Sequence, residues 1–302
     1  MEDKMKQLLA LGGLLFATAA WGAAFILVKI TIESVDLYWF LFLRFFAAFL
    51  LLAALKPKRL LEADRATIKA AFILSLYLIA VYVTQTIGLL YTTASNSALI
   101  TCLYMVFIPI VSAVFYKTRT NIYSIVGIVF ALVGLFLLTQ YSFGGANLGD
   151  ALTVLCAVAS VFHIILTGRY ASKHRPSQLV LYQFLFMSVY SLIGAVLNKG
   201  MAFDLPPIGW LTVGFTAVFA TVMAMSIQAW AQRIIDPTRA GIIFSLEAVF
   251  GPLFGWLWGG ETMTTVALFG AGLMLVGIMI AESKPVIQYL KRELLFKLSE
   301  LT

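Results

Sequence analysis

Charge is scarce in this chain of 302 residues: 12% are Asp, Glu, Lys or Arg, 62% are hydrophobic, and the mean hydropathy is +0.97. A soluble domain carries about 25% charged residues. A water-solvated fold is therefore excluded, and lipid is the solvent. Histidine and cysteine are rarer still, at two each. HExxH, GxSxG, a P-loop and a His/Asp ligand cluster are all missing, which argues against an enzyme and against any metal or cofactor. Cys102 and Cys156 fall inside apolar runs and read as small apolar side chains. Carbonyl-filter motifs and a ring-forming charged pore are also lacking.

What is present is a series of apolar runs. Hydrocarbon about 30 Å thick needs roughly 20 apolar residues per helix, and such runs occupy 8–32, 35–55, 68–91, 94–116, 122–140, 148–168, 178–197, 207–232, 238–259 and 263–281. Unbroken stretches such as Leu8 to Val28 exclude the alternation of a transmembrane β-barrel. The first run follows Lys4 and Lys6 like a signal peptide, but it is too long and lacks a small-residue cleavage site. It is read as a retained span. The fold class expected is an all-α polytopic membrane protein of ten transmembrane helices.

The net charge of +7 and pI near 9.4 could suggest a nucleic-acid partner, so the placement of the basic residues decides. With the N-terminus inside, every Lys and Arg except Lys29, Arg44 and Lys199 falls on an inner segment. That is the positive-inside distribution over an even number of spans, with both termini cytoplasmic. The basicity reports topology, the partner is the lipid bilayer, and no nucleic acid is called for.

The chain also repeats itself. Shifted by 143 positions, SNSALITCLYMVFIPIV (95–111) falls on TRAGIIFSLEAVFGPLF (238–254), with Leu103 on Leu246, Val106 on Val249, Phe107 on Phe250 and Pro109 on Pro252. The same shift places Gln85 on Gln228, Gly127 on Gly270 and Gly134 on Gly277. Towards the start of each half the offset becomes 139, pairing Trp21 with Ser160 and Arg44 with Gln183. Five helices is an odd number, so the second copy enters the membrane from the other side. The basic loop at Lys117 and Arg119 has its counterpart near Glu261, as an inner loop and its outer copy should. Two inverted repeats, 8–140 and 148–281, are expected, and inverted repeats typify secondary transporters.

The stretch IIFSLEAVFGPLFGWLWGGETMTTVALFGAGLMLVGIMIAE (242–282) resembles the second repeat of the drug/metabolite transporter superfamily, EamA type. WGAAFILVK (21–29), LFLRFFAA (41–48) and TTASNSALITCLYMVFIPIV (92–111) are similar to its first. The resemblance covers nearly the whole chain. It implies ten helices, two inverted repeats and a central substrate cavity, with a Glu common at the position of Glu247. Where many members carry Glu after helix 4 this chain reads YKTRT, leaving Glu261 alone.

Ionisable groups at bilayer depth are candidates for function because each costs several kcal/mol or more unless paired or hydrated. Glu247 in helix 9 is the foremost: it could bind a substrate amine or carry a coupling proton, or it could be neutralised by Arg44 or by backbone. Arg44 in helix 2 reads as a structural charge. Lys29, with Glu33 four residues on, reads as a hydrated surface pair. In helix 6, Thr153, Cys156, Ser160, His163 and Thr167 share one side. Trp21 with Thr18 and Phe25 in helix 1, Tyr82 with Gln85 and Thr86 in helix 3, Asn96 and Tyr104 in helix 4, and Gln228 in helix 8 complete a wet lining. The substrate-binding set expected is Trp21, Tyr82, Gln85, Asn96, Tyr104, His163, Gln228 and Glu247.

Helices 5 and 10 are almost wholly apolar and read as facing lipid or a second subunit. Gly251, Gly255 and Gly259 form a small-residue ridge for close packing within the chain. Pro109 and Pro252 mark equivalent kinks. Residues 285–302 carry an amphipathic pattern suited to the cytoplasmic membrane surface. The function expected is alternating-access transport of a small polar metabolite, an amino acid, amine or nucleotide-like molecule, by a monomer or homodimer. The alternative is a channel or accessory membrane subunit.

Overall fold

A computed structural model describes residues 2–55, 57–58, 62–139, 147–202, 204–259, 264–266, 268–281 and 283, so Glu261 and the tail 285–302 lie outside the described residues. The described residues are helical, with no strand among them. The helices are α1 (Glu2–Ile32), α2 (Leu37–Leu55), α3 (Arg65–Tyr91), α4a (Ala94–Thr101) and α4b (Tyr104–Tyr116), α5 (Ile122–Thr139), α6 (Leu148–Ala171) and α7 (Pro176–Leu197). They continue as α8 (Pro207–Ala231), α9a (Pro237–Phe244), α9b (Glu247–Gly259) and α10 (Leu268–Ala281). Counting each broken pair once gives ten, at the positions of the ten apolar runs. Seven are long and apolar enough to cross a membrane, while Tyr104–Tyr116, Ile122–Leu137 and Leu268–Ala281 are shorter apolar pieces.

Their starts follow from local chemistry. Asp64 accepts from the Thr67 amide at 2.8 Å and caps α3, and Asn147 with Asp150 closes a capping box on α6. Asp236 caps α9a, and proline opens α7, α8 and α9a at a position that needs no amide donor. Lys29 corrects the expected pair with Glu33. Its Nζ donates to the carbonyls of Leu89 and Thr92, at 3.0 and 2.6 Å, where α3 ends. A cation suits these unpaired carbonyls at the negative end of the helix dipole.

Helices α4 and α9 break at the same place. The turns at Cys102–Leu103 and Ser245–Leu246 lie 143 residues apart. Each tightens through the same short bonds: Leu103, Met105 and Val106 amides reach three residues back, and so do those of Leu246, Ala248 and Val249. The breaks therefore stand one to two turns before Pro109 and Pro252, which sit inside α4b and α9b. The two breaks touch, since Cys102 Sγ donates to the Ser245 carbonyl at 3.3 Å.

Small residues set the closest approaches, as expected where lipid provides no hydrophobic drive between helices. A Cβ built on Gly134 would lie 2.5 Å from the Gly270 carbonyl oxygen, and one on Gly127 2.5 Å from that of Gly277. Helices α5 and α10 thus pack on each other by their glycine faces, while Val129, Phe136, Phe269 and Met279 remain exposed on their outer faces. Gly251 meets Ala98, and Gly22 meets Phe250, so the first glycine of the ridge packs within the chain. Two large apolar cores fill the bundle, one built mainly on α2, α3, α7 and α8, the other on α4, α5, α9 and α10, and a small third cluster joins Ala70, Ala71, Ala171 and Leu179. Trp21 packs against both large cores.

Candidate functional site

Between the two cores lies a cavity of about 100 Å³, far more than the roughly 10–15 Å³ one water needs. Trp21, Tyr82, Gln85, Tyr104, His163, Gln228 and Glu247 all line it, together with Arg44. The side chain of Asn96, in α4a, lies outside the described residues. Seven of the eight expected binding residues thus meet at one place, drawn from α1, α3, α4, α6, α8 and α9.

Glu247 and Tyr104 hold matching positions, each the first residue after its helix break. Both are buried, and the Tyr104 hydroxyl makes no hydrogen bond of good geometry among the described residues. Tyr82, Tyr104 and Cys156 stand within electrostatic range of Glu247. No ion pair joins Glu247 to Arg44 among the described residues. The neutralising pair open from sequence does not form.

Arg44 instead has neutral partners. Its Nε donates to Thr221 Oγ1 at 2.8 Å and one terminal nitrogen donates to the Tyr82 hydroxyl at 3.0 Å, with the guanidinium 4.6 Å from the Tyr82 ring centroid. Hydrogen bonds and an aromatic face keep a buried guanidinium tolerable without a carboxylate. Thr221 belongs to a π-helical segment of α8, Thr216–Met223. The wide turn also presents the Ala220 carbonyl, which accepts from Trp21 Nε1 at 2.8 Å. Such bulges recur at functional sites because they turn backbone groups away from the regular ladder. Here one bulge ties α1 and α2 to α8.

His163 has a defined tautomer. Gln183 donates its amide nitrogen to the Leu179 carbonyl at 3.2 Å, which leaves Oε1 to face the ring at 3.0 Å. Nε2 of His163 therefore carries the proton, and Gln183 fixes the ring against the cavity. Gln85 donates weakly to Thr101 Oγ1 at 3.4 Å, leaving most of its amide for a guest. Phe244 closes the wall, its ring edge-on to Trp21 at 5.2 Å. The Thr153 to Thr167 stripe of α6 is buried throughout, and its Ser160 and His163 reach the cavity. Sequence reasoning missed Thr221, Gln183 and Phe244; the 139-residue pairing of Arg44 with Gln183 was the available hint for one of them. The cavity offers an acid, hydroxyls, amides and an imidazole, but among the described residues no cluster of three metal-ligating side chains.

The sequence matches the EamA-like transporter family twice, over residues 8–140 and 147–282. The chain belongs to this family. An uncharacterized transporter of Archaeoglobus fulgidus is 34% identical over 279 residues, covering 92% of this chain and 87% of its own. The uncharacterized inner membrane transporter YedA of Escherichia coli is 24% identical, covering 92% of each. A solved crystal structure superposes with a TM-score of 0.74 at 16% identity, covering 89% of this chain and 95% of its own, and so shares the fold. This EamA-like protein is a multi-pass membrane protein of a transporter family.

Proposed function

We propose that the protein is a secondary transporter that carries a small polar metabolite across the cytoplasmic membrane by alternating access. Residues 8–140 and 148–281 act as two inverted repeats around the cavity, and both termini are cytoplasmic. The observation that carries this reading is that Tyr104 and Glu247, 143 residues apart, each follow a helix break and line the same cavity. A substrate between them would touch both halves at once, which is where a rocking carrier needs its site.

Support for the inverted relation comes from contacts that exchange under the 143-residue shift. Ala98 against Gly251 becomes Gly241 against Ile108, and Gly127 against Gly277 becomes Gly270 against Gly134. Cys102 against Ser245 returns to itself. This is how an isologous two-fold contact behaves. Glu247, with no cationic partner among the described residues, favours a substrate bearing an amine, either an amino acid or a simpler amine, and can alternatively hold a coupling proton. Trp21, Tyr82, Gln85, Tyr104, His163 and Gln228 supply the aromatic and hydrogen-bonding remainder.

The test is counterflow. Purified protein is screened by thermal shift against metabolite pools, and hits are loaded into proteoliposomes to drive uptake of labelled substrate. Saturable counterflow is expected. Binding without exchange would refute the carrier and favour a channel or accessory subunit.

A further inference from the structure

A second cavity, about 700 Å³, lies at the end of the bundle where α4b ends and α5 begins, bounded by the end of α6 and the α8–α9 turn. It is separate from the central cavity, and nothing in the transport reading uses it. Three cations ring it: Arg119, Arg169 and Lys173, all exposed. A membrane protein needs basic loops on its inner side, but that rule does not require three of them to converge on one concavity whose described lining holds one carboxylate, Asp236.

Asp236 offsets one of the three positive charges and leaves the lining cationic. Asp236 accepts the amides of Thr238 and Arg239, each at 3.1 Å, to cap α9a. Asn121 accepts from the Ser124 amide at 3.0 Å to cap α5. Arg175, just outside the rim, has its own carboxylate in Glu62 at 2.6 Å. The Arg169 guanidinium stacks on the Tyr116 ring, 3.2 Å from the centroid, and a stacked guanidinium keeps its in-plane N–H donors free.

Gln232, in the same wall, is buried, and its Nε2 donates to the Ile164 carbonyl at 3.0 Å, which ties the end of α8 to α6 beneath the cavity. The chain path fits as well: Lys117 takes a left-handed conformation (φ 53°) that ends α4b and turns Thr118 and Arg119 over the cavity.

We propose that this vestibule is a binding site for a phosphate-bearing anion, held by Arg119, Arg169 and Lys173. Arginine forks match phosphate oxygens, and a point charge such as Lys173 completes the set. The phosphate could belong to a free metabolite or to a lipid headgroup. The repeat gives this site no twin, for Thr262 stands 143 positions after Arg119, and Ile30 and Ser34 stand 139 before Arg169 and Lys173.

The test uses the full-length protein in an uncharged detergent at constant ionic strength. Thermal midpoints are titrated with inorganic phosphate, dioctanoyl phosphatidylglycerol and dioctanoyl phosphatidylcholine. Saturable stabilisation by phosphate or by phosphatidylglycerol is expected, with phosphatidylcholine much weaker. The Arg119→Gln/Lys173→Gln double variant, altered only at exposed positions, should bind at least about tenfold more weakly. A response to phosphate identifies a free anion as guest, and a response to phosphatidylglycerol alone identifies a lipid. No saturable response to either, equal binding of phosphatidylcholine, or unchanged binding by the double variant would overturn the site. Transport activity does not enter the readout, so this result stands apart from the outcome for the central cavity.

Discussion

The glycine contact between α5 and α10 yields a prediction with a built-in control. In Gly134→Ala the new Cβ falls 2.5 Å from the Gly270 carbonyl oxygen, 2.8 Å from Met274 Cγ and 2.9 Å from the Met274 amide nitrogen. Two of these three atoms are backbone, so relief requires α10 to move away from α5. Overpacking of this kind costs about 1–3 kcal/mol, while alanine for glycine inside a helix returns about 1 kcal/mol. The net expectation is a loss of roughly 0–2 kcal/mol. Gly272, in the same helix α10, has nothing within 4 Å of its added Cβ. Gly272→Ala should therefore gain about 1 kcal/mol from the helix term alone. For a chain of this size each kcal/mol shifts the midpoint by roughly 2 °C, so thermal unfolding in detergent, followed by tryptophan fluorescence, should move the two variants in opposite directions. Gly127→Ala should follow Gly134→Ala, since it meets the Gly277 carbonyl at the same distance. If Gly134→Ala stabilises as much as Gly272→Ala, the close α5–α10 contact is wrong.

Three further outcomes are expected. Trp21→Phe keeps an aromatic ring beside Phe244 but removes the donor to the Ala220 carbonyl, which should lower stability by about 0.5–1.5 kcal/mol in chemical denaturation. Arg44→Lys should reduce transport, because one ammonium cannot reproduce the forked bonds to Thr221 and Tyr82; a proteoliposome assay with wild-type rates would show that the fork is dispensable. Outside the membrane, the Thr67 hydroxyl and amide hold the Asp64 carboxyl below its ordinary range. A carboxylate lowered by folding stabilises at neutral pH and loses that contribution as pH falls through its folded value. Protection factors at the start of α3, with the base-catalysed intrinsic exchange rate divided out, should therefore fall on acidification, and fall less in Asp64→Asn, which keeps a capping oxygen without the charge.

Much of this was legible in the sequence because lipid imposes simple demands. Continuous apolar runs fixed the ten helix positions, and a polar side chain within such a run had to face something other than lipid. That logic brought Gln85, His163, Gln228 and Glu247 to one cavity. The breaks in α4 and α9 were legible only as kinks near Pro109 and Pro252; they fall one to two turns earlier, at Cys102–Leu103 and Ser245–Leu246, where no glycine or proline stands and the two helices touch. The π-helical turn in α8 was not legible. Nothing in TAVFATVM marks it, and its partners Trp21 and Arg44 lie far away in the chain. Lys29 misled because its neighbour in sequence is Glu33 while its partners are backbone carbonyls 60 and 63 residues away. Carbonyls have no signature in a sequence.

Glu247 carries the largest share of the proposed transport function. Glu247→Gln preserves the size and most of the hydrogen bonding of the side chain while removing its charge and proton. Gradient-driven uptake into proteoliposomes, measured across pH beside substrate affinity, is the decisive measurement. The variant is expected to lose affinity for the substrate or to lose gradient-driven uptake together with its pH dependence. Wild-type affinity, uptake and pH profile in Glu247→Gln would contradict this role.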